Sequence, residues 1–484
     1  MASQTKKITL DTAAIFFGKA AGLLLGIVRL NFLARYLGVA GFGILNFATY
    51  YCSLFQVIFD FGISQLLTRE LARDLSRSRE LVGKAVLLKV IIVFASSLVL
   101  GIIAFVSHFD RVTNWAVLLT TLAFAVNGIS MVFLSAYQAH RKMVLVSVAT
   151  MTNDLLVSAA VILLIAEYPF VITALVVTAL VSLVNLAILF VVYVRLVGMP
   201  VLQVDTALWK ELLKESAPLA VSSIGISAYS FAGPTVLKYT RGDVEVGIFS
   251  SAYKLVSILT LIPTALTQVI YPIFSDFFVN AKEKLEKALS DSLRVICLIS
   301  IPLAVGTVLL APKVFSLLYP PAFEPGILVL QITILGITLG YMNWILYSFL
   351  LAVNQQAFSM RLSVATGVIA FLGSLMLIPR FGFMALPFIT IATELILFLP
   401  QLWWVKKKGY RSFHPPQFTK PLIAAVSMGL VLLVARNSNL FVLIPLGVAS
   451  YGLVIYLTNG LGEQEMGVFR ALLRKTTTRA DSSA

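Results

Sequence analysis

Apolar runs dominate the chain and are punctuated by short polar turns. A membrane-spanning helix needs about 20 apolar residues, and runs of that kind fall at 9–36, 42–67, 81–107, 112–138, 144–166, 169–197, 216–239, 246–276, 287–311, 325–352, 358–379, 383–405, 418–436 and 440–459. The connections between these fourteen predicted spans are short, as expected where neighbouring helices lie antiparallel, and none has room for a soluble domain. The pattern predicts an all-α polytopic membrane protein. Three polar segments carry a helical period of their own. Asp205 precedes Leu208, Trp209, Leu212 and Leu213, the spacing of an amphipathic surface helix. Residues 281–294 read as a helical extension with Glu283 and Lys287 as an i,i+4 pair, and residues 462–475 place Met466, Phe469, Leu472 and Leu473 on one face. All three are expected to rest on the membrane surface.

Composition sharpens the class. Of 484 residues, 59% are hydrophobic and 12% charged, where a soluble domain carries roughly 25% charged residues. A soluble enzyme, a disordered chain and a secreted disulfide scaffold are excluded. Cys52 and Cys297 sit inside apolar runs and read as core residues, not as a disulfide or a metal pair. The first apolar run is too long for a cleavable signal sequence and should remain as the first helix. The net charge of +15 would suggest nucleic acid in a soluble protein, but here it follows the sidedness of the loops. With the N-terminus inside, 26 of the 37 Lys and Arg fall on the cytoplasmic side and 7 on the other, with Lys19, Arg29, Lys89 and Lys254 inside spans. By the positive-inside rule both termini are cytoplasmic.

An internal repeat bears on the architecture. Residues 38–44 (GVAGFGI) align with 242–248 (GDVEVGI), and 133–150 align with 349–366 with 7 identities in 18 positions. The period is six helices, so the halves share one orientation, an arrangement that places a transporter's substrate path between them. The division expected is a first lobe at 1–205, a second at 206–410, two appended helices at 411–460 and a cytoplasmic tail at 461–484.

The run Leu33-Ala34-Arg35-Tyr36-Leu37-Gly38 with Phe42-Gly43 resembles the first-loop signature of the bacterial polysaccharide flippases. So does Phe59-Asp60-Phe61-Gly62-Ile63 followed by Thr68-Arg69-Glu70-Leu71-Ala72-Arg73. These are the Wzx-like O-antigen and polysaccharide exporters of the multidrug/oligosaccharidyl-lipid/polysaccharide (MOP) superfamily. Leu318-Tyr319-Pro320-Pro321-Ala322-Phe323 is similar to a loop in which the family more often has Gly at position 320. The resemblance spans the whole chain and implies a multi-pass protein of the inner membrane. It further implies that a polyprenyl-diphosphate-linked oligosaccharide is moved to the outer leaflet, with polysaccharide polymerase machinery as an associated partner.

Ionisable groups inside spans are costly and tend to face a cavity or a partner. Lys19 and Arg29 lie on the first span, Lys89 on the third and Lys254 on the eighth, so these cations could converge on a central cavity and hold a diphosphate. The competing reading pairs them with Asp60, Asp154 or Glu394, or lets Arg29 snorkel to the interface. Asp154 and Glu394 are candidates for coupling transport to H+ or Na+. Asp60 is expected to anchor a helix end or to pair with Arg69 or Arg73. Arg69, Arg73, Arg77, Arg79 and Lys84 read as topology determinants touching anionic lipid, or as a funnel for the head group. His108, His140 and His414 are scattered over loops, and neither a phosphate-cradling motif nor metal-ligand spacing occurs. A non-enzymatic transporter that needs no cofactor is expected. A cation-coupled small-molecule exporter and a peptidoglycan-precursor flippase of the same fold are the alternatives.

Overall fold

The computed structural model describes residues 2–410, 416–458 and 460, with side chains except at 2–21, 23, 24, 57, 218–226, 228, 229, 416 and 417. The predicted surface helix at 462–475 lies outside the described residues. The chain is all-α, and among the described residues no strand occurs. Fourteen helices follow the predicted spans. They are α1 (2–37), α2 (39–73, interrupted), α3 (Ser78–Val106), α4 (Arg111–Ala139), α5 (Met143–Glu167), α6 (Val171–Leu196) and α7 (Thr206–Arg241). After them come α8 (243–280), α9 (Lys282–Leu318), α10 (Gly326–Ala352), α11 (Gln356–Phe381), α12 (Ala385–Lys407), α13 (Pro416–Val434) and α14 (Leu440–Leu457). By length and composition, ten helical stretches among the described residues are apolar enough to cross a membrane. The protein is a multi-pass membrane protein.

The helices form two compact units. The first comprises the chain up to Lys254 together with Phe315–Val329 and Met360–Ile389. Its core is built on Leu67, Val82, Phe133, Tyr137 and Tyr193, with the Tyr137 and Tyr193 hydroxyls donating to the carbonyls of Leu189 (2.5 Å) and Ser78 (3.0 Å). The second comprises Leu255–Val314, Leu330–Ser359 and the chain from Thr390 onward, with Phe274, Leu289, Ile345, Phe349 and Val405 at its centre. Lipid tails are as apolar as leucine, so such helices associate through close packing at small residues and through buried polar contacts.

Two local features depart from the sequence reading. The predicted surface helix after Asp205 is the first part of α7, and it docks on protein. Leu212 is buried with Ile63, Leu66 and Leu88, and Trp209 packs beside them while its indole N–H donates to the Lys84 carbonyl at 3.0 Å. Asp205 caps α7 by accepting from the Leu208 amide and also takes the Lys84 ammonium, both at 2.9 Å. Those hydrogen bonds, with the Lys84 charge beside them, hold its carboxyl below the ordinary aspartate range. The second feature is Glu283 and Lys287, which do not come within ion-pair distance of each other.

The repeat is visible in backbone geometry. Gly38 separates α1 from α2 at φ 64, ψ −178, and Gly242 separates α7 from α8 at φ 85, ψ −170. Both need positive φ, which glycine adopts without steric cost. The second alignment slips. The end of α4 at Ala139 corresponds to the end of α10 at Ala352, and Lys142 N–H to Tyr137 C=O is matched by Gln355 to Leu350. That register lies three residues from the one the identities suggest, because apolar helices resemble each other in several registers whereas capping hydrogen bonds admit one.

Candidate functional site

α2 is where the first unit departs most from regular helix. It runs to Leu54, resumes at Gln56–Asp60, breaks again and restarts as Ile63–Arg73. The second break places Phe61 at φ 51 and Gly62 at φ 74, a conformation that is strained for phenylalanine and easy for glycine. A broken helix leaves carbonyls without partners, which is tolerated in a membrane only where protein supplies them. Lys89 from α3 does so. Its ammonium is fully buried and donates to Phe59 O (3.2 Å), Asp60 O (3.0 Å) and Asp60 Oδ1 (2.5 Å), which uses all three of its protons. The Ser64 hydroxyl donates to the same carboxylate. Asp60 therefore anchors a helix end, as one expectation held, but its cation is Lys89 and not Arg69 or Arg73. Arg69 instead meets Glu215 on α7 at 2.5 Å, and Arg73 meets Glu70 at 3.0 Å. Glu215, and after it Glu70, hold the Arg69 guanidinium above its already high ordinary value.

Beside the break lies a cavity of about 370 Å³ lined by residues of α2, α4, α5 and α6. Its polar wall includes Gln56, Asp60, Asn127, Asn153, Asp154 and Asn185. The Asn153 side-chain oxygen is buried and has no hydrogen-bond partner among the described residues. Asp154 interacts electrostatically with Arg29 of α1, and Arg29 in turn with Lys254 of α8. The first unit thus brings together two of the four cations singled out in the sequence with one of the two candidate carboxylates. Lys19 is on α1, but its side chain lies outside the described residues. The amides Asn127 and Asn185 escaped the sequence reading, although polar groups in apolar runs are themselves a signal.

Glu394 belongs to the second unit. It is buried at 6% exposure on α12, and the Asn343 amide of α10 donates to its side chain (2.7 Å) and its backbone carbonyl (2.9 Å). Gly340, one turn earlier on α10, lets the helices approach, since a Cβ there would lie 3.0 Å from the carboxylate.

The two glycine turns meet each other within the first unit. A Cβ on Gly43 would overlap the Asp243 carbonyl, and one on Gly247 would overlap the Val39 carbonyl. The repeat relates 39 to 243 and 43 to 247, so the contact is reciprocal. Lys238 at the end of α7 reaches Asp243 at 2.5 Å, Thr113 at 3.1 Å and Asp110 at 3.5 Å. Phe42 packs edge-on against Tyr319 and Phe323, and Asn31 donates to the Leu318 carbonyl at 2.7 Å. The motifs that carry the resemblance are therefore the places where helices break or lock together. No cluster of metal-ligating side chains occurs among the described residues.

The fold is shared with solved membrane proteins. The structure titled lipid II flippase MurJ, inward closed conformation, superposes with a TM-score of 0.78 at 13% identity, covering 92% of this chain and 98% of that one. A multidrug resistance MATE family transporter of the MOP superfamily, inward-facing, gives 0.62 at 15% identity, covering 81% of this chain and 96% of that one. These likenesses show the fold alone: a polytopic membrane protein whose helices are arranged as in those two structures. Within it, this chain belongs to the polysaccharide biosynthesis protein family, whose model matches residues 8–278. A curated relative, the probable low-salt glycan biosynthesis flippase Agl15 of Haloferax volcanii, is 24% identical over 188 residues, 37% of this chain. That match spans 40% of the relative's own length.

Proposed function

We propose that this protein is a transporter, not an enzyme, that flips a polyprenyl-diphosphate-linked oligosaccharide from the cytoplasmic to the outer leaflet for polysaccharide synthesis. The observation that carries the reading is the family match over residues 8–278, joined to the placement of Arg29 and Lys254, cations on helices of opposite sequence halves, in apolar helices of one compact unit. Like charges so placed repel, and an anionic head group between them relieves the repulsion. Arg29 offers a fork for phosphate oxygens and Lys254 a point charge. The reading keeps Lys19 as a third contributor. It assigns Lys89 to the helix break, because its protons are already committed. Asp154, on the polar cavity, is the proposed site where H+ or Na+ couples to the cycle, with Glu394 as its counterpart in the second unit. Residues 1–205 and 206–410 act as the alternating lobes, with both termini in the cytoplasm of an inner membrane. Deleting the gene and probing each leaflet for lipid-linked sugars tests the proposal. An oligosaccharide–diphosphate lipid trapped on the cytoplasmic side is the expected result, and normal surface polymer with no trapped intermediate would refute it.

A second reading, flipping of a peptidoglycan precursor, draws on the near full-length superposition on the MurJ structure. It requires that loss of the gene stop growth and not merely surface polymer. A cation-coupled small-molecule exporter would instead leave both intact and alter drug efflux.

A further inference from the structure

Where α8 ends at Asn280 and α9 begins at Lys282, the two helices open into a cavity of about 470 Å³ inside the second unit. Its walls differ by helix. α8 contributes Ile270, Ile273, Phe274 and Phe277, and α9 contributes Lys284, Lys287 and Asp291. Lys284 and Lys287 are three residues apart and so share a helix face. Both are exposed, and among the described residues neither meets a carboxylate within ion-pair distance. Asp291 is engaged by Arg294 at 3.4 Å, and Lys282 sits over the Phe278 ring at 5.8 Å. The cavity therefore presents two uncommitted ammonium groups above an apolar floor. The first turn of α9, with its partial positive charge, adds to the same sign.

We infer that this cavity binds an anionic phospholipid, with the phosphate between Lys284 and Lys287 and the upper acyl chain along Ile273 and Phe277. Charge and polarity match such an amphiphile at both ends. The basic-residue bias places the hairpin on the cytoplasmic side, the leaflet whose surface attracts basic segments. The volume is in the range of small-ligand sites.

Native mass spectrometry of the full chain in mild detergent, titrated with phosphatidylglycerol or phosphatidylcholine of the same chains, tests the inference. Phosphatidylglycerol should be retained as one tight equivalent and phosphatidylcholine should not. Lys284→Gln with Lys287→Gln should weaken retention on the order of tenfold, while Lys284→Arg with Lys287→Arg should preserve it. Ile273→Trp, which fills the floor without touching charge, should also expel the lipid, and it carries the test if the glutamine variant does not elute as a single species. Equal retention of the two lipids, or undiminished binding by the glutamine and tryptophan variants, overturns the inference. Displacement by sn-glycerol 3-phosphate at matched concentration would mark a free-phosphate site, and displacement by polyprenyl diphosphate at lower concentration would mark a cargo site. Either result overturns the assignment to phospholipid.

Discussion

At the scale of single residues, the most informative outcome concerns the four cations inside spans. All look alike in the sequence, yet Lys89 is a fully buried structural cation while Arg29 and Lys254 share one electrostatic environment. Replacing Lys89 by Met should leave the Asp60 carboxylate and two carbonyls without their donor, at a cost on the order of 3 kcal/mol. Thermal unfolding in detergent measures this, and Lys89→Met with Asp60→Asn should recover part of the loss. Arg29→Ala and Lys254→Ala, by contrast, should leave the melting temperature near wild type and abolish export. A variant pair that melts early but exports normally would reverse these roles. The pairing of Lys89 was open as one of several alternatives in the sequence, because which carboxylate lies across from a lysine depends on how α2 breaks.

At the scale of elements, the reciprocal turns make a specific demand. Gly43 and Gly247 each face a backbone carbonyl, which cannot move aside as a flexible side chain would. Alanine at either position should disfavour the packed arrangement by roughly 1–3 kcal/mol, the usual range for overpacking. A cysteine at Ser107, whose hydroxyl meets the Tyr239 hydroxyl at 2.8 Å, should then label faster with a membrane-impermeant maleimide added outside cells. Unchanged labelling would show that the turns tolerate the methyl group. The docked start of α7 makes a demand on pH. A carboxyl whose folded value is lowered contributes its stabilisation fully above the ordinary aspartate value of about 3.9, and loses it as pH falls through the folded value. Hydrogen exchange of residues 206–213, corrected for intrinsic rate, should hold from pH 7 to 5 and rise only below that ordinary value. Asp205→Ala should raise it at neutral pH.

At the scale of the whole molecule, the strongest expectation is topological. The excess of basic residues on one set of loops is far larger than chance placement would leave, so reporter fusions at residue 5 and after residue 475 should both report a cytoplasmic location. A periplasmic reading at either end would invalidate the assignment of sides on which the entry of the head group and the lipid cavity both depend. The same scale explains why the repeat was legible in its glycine turns and blurred elsewhere. Gly38 and Gly242 are required by backbone geometry, so they mark equivalent places, whereas apolar helices align almost as well after a shift of three residues.

Membrane class, helix number and all-α architecture were legible in the order of residues, because a bilayer imposes one length and one polarity on every span. The broken α2, the docking of the first turns of α7, and the pairing of Lys89 with Asp60 were decided by tertiary structure. Each depends on which face of one helix meets which face of another. In an all-apolar run that choice is carried by a few small and polar residues, among them Gly43 and Gly247, whose partners lie far away in the chain.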